Sequence, residues 1–517
     1  MTNKQSRLAA AGVLLLFAAA LACQWGGHRS IPTSDGISYI ASGVGLIRTG
    51  RYLNSFGELD LWFPPLYPVL IGALSLGGSL DPLLVARVIS AAFATLGLVF
   101  VFRAGRAATP GVSHAGAFAA GILAANSLYQ EAGSAALSLA TATVLLVAAF
   151  ALWVGLPDKG GTARLITIGC LIGASYLTRP EAILLLPAWA MIDIWARPTR
   201  EQLRRYAAAA IACAIFVAPY AAWLSARTGR LTITNKGEVN LAAGRAAYYG
   251  APREYIDPET LEMSFYEHRV TAGGETRRYL SNLGGIGRAY AKLYGGPIGA
   301  GLLVMAGIGA VSLARRRQIR MLLGLLAQFA YLLVMAWYAA DDPYLHATLP
   351  ALSLLAAFGI GASRQAWCSP ARLPRKWAAA ALLAWVCLGL VEMGSRLPRW
   401  SLTTADDPLT LLRDAGLSLK AKGVPGGVVY ERGATIGYFA GQRRGRLTQN
   451  DLGTISRYIH KVEDERTPVW LAVSRAHSEL YHPSVRSLLD SDEETGFLRR
   501  VIELSDGRGK VVIYEVD

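Results

Sequence analysis

The sequence predicts an α-helical polytopic membrane protein with about eleven transmembrane helices and a small C-terminal α/β domain on the exoplasmic side. Three observations carry this. Of 517 residues, 53% are hydrophobic and 17% charged, and mean hydropathy is +0.33, too apolar for an ordinary soluble chain. The net charge of +15 collects in the short connections between apolar segments. The last part of the chain then exchanges long apolar runs for short β-type ones.

The apolar segments run from Leu8 to Gln24, Leu83 to Phe102, Val112 to Tyr129, Ala135 to Leu156, Leu165 to Thr178, Ala182 to Trp195, Tyr206 to Leu224, Ile298 to Leu313, Met321 to Ala339, Tyr344 to Ile360 and Trp377 to Val391. Several are shorter than the roughly 20 residues that span a hydrocarbon core of about 30 Å, which leaves room for boundaries shifted by a few residues and for one re-entrant pair. Ala20-Leu21-Ala22-Cys23 loosely resembles a lipoprotein cleavage site, but Ala stands where Leu is usual, so the first segment is read as a retained span.

With the N-terminus inside, residues 1–7, 103–112, 157–164, 196–205, 314–320 and 363–376 are cytoplasmic. They hold 18 Lys and Arg against two acids, Asp158 and Glu201, as positive charge retained on the inner side requires. Topology therefore accounts for the basic balance, and nucleic-acid binding is excluded. Residues 25–82, 225–297 and the tail from about residue 394 are left on the outer face. The large outer segments and the lack of an internal repeat argue against a transporter. A lipid or solute transporter and a sensor with an exoplasmic ligand-binding tail are the alternatives from other classes. Cys23, Cys170, Cys213, Cys368 and Cys387 show no paired ligand spacing, against a disulfide framework or thiolate metal site.

The two domains expected are residues 1–393, spanning the membrane, and residues 394–517. In the tail, Val428-Val429-Tyr430, Val469 to Val473 and Val511 to Tyr514 read as strands, and Ala434 to Ala440 and Leu452 to Val462 as helices. No phosphate loop follows the first strand. His477 and His482 have no third ligand near them in sequence, so they read as surface histidines rather than a metal site.

The first outer loop holds Ser34-Asp35-Gly36-Ile37-Ser38-Tyr39, then Gly50-Arg51-Tyr52, then Phe63-Pro64-Pro65-Leu66-Tyr67-Pro68. A carboxylate just outside the membrane can accept a proton from an attacking hydroxyl, and Tyr39, one turn on, would share its face. From the residues alone the cap is the favoured reading: Asp35 follows a Pro-Thr-Ser stretch and would cap a helix starting at Gly36.

A first span followed by D-x-x-x-Y, G-x-Y and P-P-L-Y-P resembles the GT-C glycosyltransferases, in particular the bacterial branch similar to protein O-mannosyltransferases and the lipid A aminoarabinose transferase. Tyr176 to Glu181, Gly229 to Asn235 with Val239-Asn240-Leu241, and Tyr344 with Leu349-Pro350-Ala351-Leu352 extend the likeness, as does the α/β tail. Departures are Ser138-Leu139 for a common Ser-Glu pair, Pro343 for an Arg, and Gly36 for an acid.

The resemblance implies a sugar donor on a polyprenyl phosphate, a lipid, polysaccharide or protein acceptor, and the outer face of a bacterial cytoplasmic membrane. It assigns Asp35 as the base that deprotonates the acceptor hydroxyl, with inversion at the anomeric carbon. The leaving phosphate needs cations. The candidates are Arg87 and Arg179 at outer membrane boundaries, then Lys236 and Arg245 in the large loop. Arg87 could instead snorkel or pair with Asp81, and Arg179 could pair with Glu181. Tyr39, Asp60, Tyr67, Glu181, Tyr344 and His346 are the candidate pocket residues, with Trp62 and Phe63 beside them. The bland readings are loop capping for Asp60, packing for His346 and interfacial anchoring for the aromatics. No cofactor is required, and a divalent metal stays open.

Overall fold

The computed structural model describes residues 10–19, 21, 32–108, 115–156, 161–249, 254–265, 272–294, 297–338, 342–367, 408–423, 426–432, 435–464, 466–475, 477, 481–490, 497–506 and 509–516. The predicted span from Trp377 to Val391 lies outside them.

The helices of the first unit are α1 (Ala10–Ala19), α2 (Ser34–Thr49), α3 (Leu66–Leu74), α4 (Pro82–Ala108), α5 (Ala115–Ala125), α6 (Ser127–Ser134), α7 (Leu139–Val154), α8 (Thr162–Tyr176), α9 (Leu185–Ala196), α10 (Arg200–Thr228), α11 (Lys236–Tyr249), α12 (Ala272–Tyr294), α13 (Pro297–Arg315), α14 (Ile319–Met335) and α15 (Leu349–Trp367). A two-stranded hairpin, β1 (Glu254–Ile256) with β2 (Met263–Phe265), lies between α11 and α12.

Among the described residues, three helices are long and apolar enough to cross a membrane: Pro82–Ala108, Arg200–Thr228 and Leu345–Ser363. The pair α6 and α7, bent by 115°, would make a fourth. Helices Thr162–Tyr176, Gly299–Arg315 and Ile319–Met335 are apolar but shorter. The predicted segment from Val112 to Tyr129 is broken in the structure. Asn126 caps a new helix there, its side chain accepting the Tyr129 N–H at 3.2 Å, and hydropathy averaged over a window passes over such a cap.

The helices meet through small residues, which let backbones approach. A Cβ on Gly309 of α13 would collide with the Leu355 carbonyl of α15, and one on Gly359 with the Met305 carbonyl. Gly43 and Gly72 do the same for α2 and α3, seating the helix that carries Asp35 against the Pro-rich run.

The C-terminal unit has α16 (Pro408–Ala421), β3 (Val428–Glu431), α17 (Thr435–Ala440), β4 (Arg443–Arg446), α18 (Leu452–Val462), β5 (Val469–Ser474), β6 (Leu498–Asp506) and β7 (Gly509–Val516). They form one sheet in the order β4-β3-β5-β7-β6, parallel across β4-β3-β5 and antiparallel beyond. Alternation along the strands sends Tyr430, Leu471, Val473 and Val512 to one face with Ile455 and Ile459 of α18. Val429, Trp470, Ala472 and Ile513 go to the other, under Leu412 of α16 and Ile436 of α17.

The large loop is fastened to this sheet. Ile256 of β1 is fully buried in the core on the α18 side. Asn450 accepts its N–H and donates to its carbonyl, both at 2.7 Å.

Candidate active site

Asp35 lies in the first turn of α2 and is exposed. The cap of that helix is Thr33, whose hydroxyl accepts the Gly36 N–H at 3.1 Å. The capping role open to Asp35 in the sequence is therefore filled by a neighbour, and the carboxylate faces a polar cleft of about 430 Å³. Ser34, Ser38, Asn54, Trp62, Phe63, Lys236 and Asn240 line the cleft from the first unit, and Glu431, Arg432, Arg444 and Arg446 from the second.

The first loop is built around Asp60. Its buried carboxylate accepts the Ser42 hydroxyl at 2.5 Å and the Trp62 and Phe63 N–H groups at 3.1 Å each. Burial raises its pKa, while those donors and Lys236 oppose the rise. Asp60 thus shapes the turn that presents Trp62 and Phe63. Tyr39 and Tyr67 are buried beneath: Tyr39 bonds Ser138 Oγ at 3.0 Å and packs on Phe63 at 4.5 Å, and Tyr67 reaches Ser90 Oγ at 2.8 Å. Neither tyrosine lines the cleft.

Lys236 begins α11 and stands over the Phe63 ring, Nζ 4.7 Å from its centroid. The preceding loop is held by the Tyr176 hydroxyl, which donates to the Ile233 carbonyl. Burial lowers the Lys236 pKa; Asp35, Glu181 and Asp60 raise it, and Arg179 lowers it further. Lys236 thus stands within electrostatic reach of groups from the first loop and from the turn after α8.

A second, mainly apolar cavity of about 160 Å³ lies among α7, α9 and α14. Arg179, Glu181 and His346 line it with Leu139, Leu146, Leu184 and Val334. Arg179 Nε donates to Glu181 Oε1 at 2.8 Å, and the Tyr331 hydroxyl donates to the same oxygen at 3.0 Å. Tyr344 belongs to the 3-10 turn Asp342–Thr348, and its side chain lies outside what is described.

The structure thus sets Asp35 with Lys236 in the polar cleft and Arg179 and Glu181 with His346 in the apolar cavity, while Asp60 is buried in the first loop. Arg87 and Arg245 line neither cavity. Arg87 is buried in α4, within electrostatic reach of Asp81 and Tyr438. Arg245 pairs with Glu275 at 2.8 Å, which also holds the buried Arg278. The cleft residues of the C-terminal unit were not singled out from sequence. Their one available signal was the alternation in Arg443-Arg444-Gly445-Arg446. Among the described residues no group of three or more His, Cys, Asp or Glu could hold a metal.

No family model and no curated protein matches the sequence. Solved structures do. ArnT from Cupriavidus metallidurans bound to undecaprenyl phosphate is similar over 99% of this chain and 98% of its own, with 14% identity and a TM-score of 0.62. The structural neighbours are GT-C glycosyltransferases. A second is the archaeal oligosaccharyltransferase AglB from Archaeoglobus fulgidus, in complex with an inhibitory peptide and a dolichol-phosphate, which matches over 90% of this chain and 69% of its own at 12% identity and TM-score 0.58. The likeness of fold to ArnT runs through the helical unit and the C-terminal sheet alike, since it covers nearly the whole length of both chains.

Proposed function

We propose that the chain is a membrane glycosyltransferase that moves a sugar from a polyprenyl-phosphate donor to an acceptor hydroxyl, with Asp35 as general base. The observation that supports this best is the placement of Asp35. It is freed from capping by Thr33 and set beside Lys236 in a polar cleft, in a fold shared with proteins whose structures hold undecaprenyl phosphate or dolichol-phosphate.

In the proposed reaction the Asp35 carboxylate accepts the acceptor's hydroxyl proton as that oxygen attacks the anomeric carbon. The bond from that carbon to the phosphate oxygen breaks, the phosphate leaves with the electron pair, and configuration inverts. Negative charge growing on the phosphate calls for fixed cations in a site poor in water. Lys236 and Arg179 fill this role, and the apolar cavity below Arg179 receives the prenyl chain next to the head group.

Arg179→Ala should weaken binding of sugar-free undecaprenyl phosphate by about 10-fold or more, the size of a lost charge-assisted hydrogen bond. Arg87→Ala should bind as wild type. Because Lys236 is charged only below its lowered pKa, affinity should fall as pH rises through it, and Lys236→Arg should shift that fall to higher pH. Calorimetry in detergent checks all three. Wild-type affinity in Arg179→Ala would remove this residue from the donor site.

The site is assigned to the outer face of a bacterial cytoplasmic membrane. In a cysteine-free background, Lys422→Cys should react with an impermeant maleimide in intact spheroplasts and Arg316→Cys should not. Labelling of Arg316→Cys alone would invert the orientation.

A further inference from the structure

One wall of the polar cleft carries Asp35 and Lys236, and the other comes from the C-terminal sheet. Alternation along β4 puts Arg444 and Arg446 on one face. Arg443 goes to the other, where it pairs with Glu463 at 2.8 Å. Phe56 of the first loop receives both guanidinium groups, each 4.2 Å from its ring centroid, which fixes their planes.

Arg446 pairs with Glu58 at 2.9 Å and covers Trp62. Arg444 donates instead to the hydroxyls of Ser34 and Ser55, at 3.2 and 3.5 Å, and to the Arg432 carbonyl at 3.4 Å. Arg432 donates to the Leu447 carbonyl at 3.0 Å. Four cations, Lys236, Arg432, Arg444 and Arg446, thus line the cleft against two carboxylates, Asp35 and Glu431. Glu431 is also engaged as acceptor for the N–H groups of Ile436 and Gly437, at 3.1 and 2.7 Å.

We propose that Arg432 and Arg444 form an oxyanion subsite beside Asp35, and that the acceptor is a saccharide bearing a phosphoryl or carboxylate group near its reacting hydroxyl. The acceptor assignment rests on the transferase reading; the subsite itself does not. The donor's phosphate is a poor occupant, because its prenyl chain needs the apolar cavity, which these arginines do not line. An anion placed beside Asp35 would be repelled by that carboxylate unless cations stood next to it. Forked guanidinium donors both neutralise and orient such a group.

The test is calorimetric titration of the full-length protein with glucose 6-phosphate, glucuronate and glucose. Both anionic sugars should bind about 10-fold or more tighter than glucose, with the preference shrinking as salt rises. The preference should vanish in Arg432→Gln/Arg444→Gln, shrink in Arg444→Lys and survive in Arg179→Ala. Undecaprenyl phosphate binding reports that the Arg432 and Arg444 variants are folded, and thermal unfolding reports the same for Arg179→Ala; Arg444→Lys decides the matter if the double variant is not folded. Equal affinity for the three sugars, a preference untouched by the Arg432 and Arg444 variants, or one lost only in Arg179→Ala overturns the subsite. The titration needs no turnover, so an anion preference in a protein that transfers no sugar would leave the subsite standing and the transferase reading fallen. With transfer, labelled sugar should enter the glycans of an envelope extract that anion exchange retains; label in the neutral fraction alone would overturn the acceptor assignment.

Discussion

Asp35→Asn should leave the protein inserted, folded and able to bind polyprenyl phosphate, while sugar transfer falls by about 10² to 10⁴, the contribution of a positioned general base. Structural cost should be small, because Thr33 caps α2 and Asp35 is exposed. The amide keeps the shape of the side chain and loses only the capacity to take a proton. Rates of polyprenyl phosphate release from wild type and variant check this. A wild-type rate would move the base elsewhere, and Asp60 is badly placed to inherit the role. It is 1% exposed and already accepts from Ser42, Trp62 and Phe63.

The largest stability effect is expected at Asp193, near the far end of α9 from Arg179. Its carboxylate accepts from Trp153 Nε1 at 3.1 Å, the Tyr206 hydroxyl at 2.6 Å and Arg320 Nε at 2.5 Å. Arg320 also lies 4.2 Å over the Trp153 ring, which stacks on Trp189. One carboxylate thereby joins α7, α9, α10 and α14. Asp193→Ala removes the acceptor that all three donors share, leaving Trp153 Nε1 only the Tyr206 hydroxyl and Arg320 only the Trp153 carbonyl, each at 3.0 Å. Breaking a buried pair costs about 3 to 5 kcal/mol, and the lower end applies because Arg320 is 34% exposed and partly screened. Asp193→Asn, which still accepts, should lose less. Thermal unfolding in detergent measures both. Since the network touches neither cavity, turnover per folded molecule should stay at the wild-type level, and a selective loss of turnover would show that the two ends of α9 are coupled.

How far the sequence foretold this arrangement follows from what each pattern encodes. Strands β3, β5 and β7 are the central strands, buried on both faces, and their apolar runs announced them. The two strands of this sheet that escaped notice, β4 and β6, are its edges, where charge protects an open strand from pairing with another chain. Polar composition hid them, and with β4 went Arg444 and Arg446. Hydropathy located the apolar segments but could not see the cap at Asn126 that divides one of them. From its neighbours alone Asp35 read as a helix cap. Only the geometry showed Thr33 taking the cap. Arg179 and Arg87 looked alike in sequence, as cations at membrane boundaries, and their burial partners set them apart.

The central claim is a sugar transfer driven by Asp35, and a single-turnover reaction tests it most directly. Purified protein is loaded with a polyprenyl-phosphate donor carrying a labelled sugar and mixed with envelope glycans. The account predicts polyprenyl phosphate released in step with label arriving on an acceptor hydroxyl, inverted at the anomeric carbon, with both signals suppressed together in Asp35→Asn. Tight donor binding without release across a panel of lipid-linked sugars, or release at equal rates in wild type and Asp35→Asn, would contradict it.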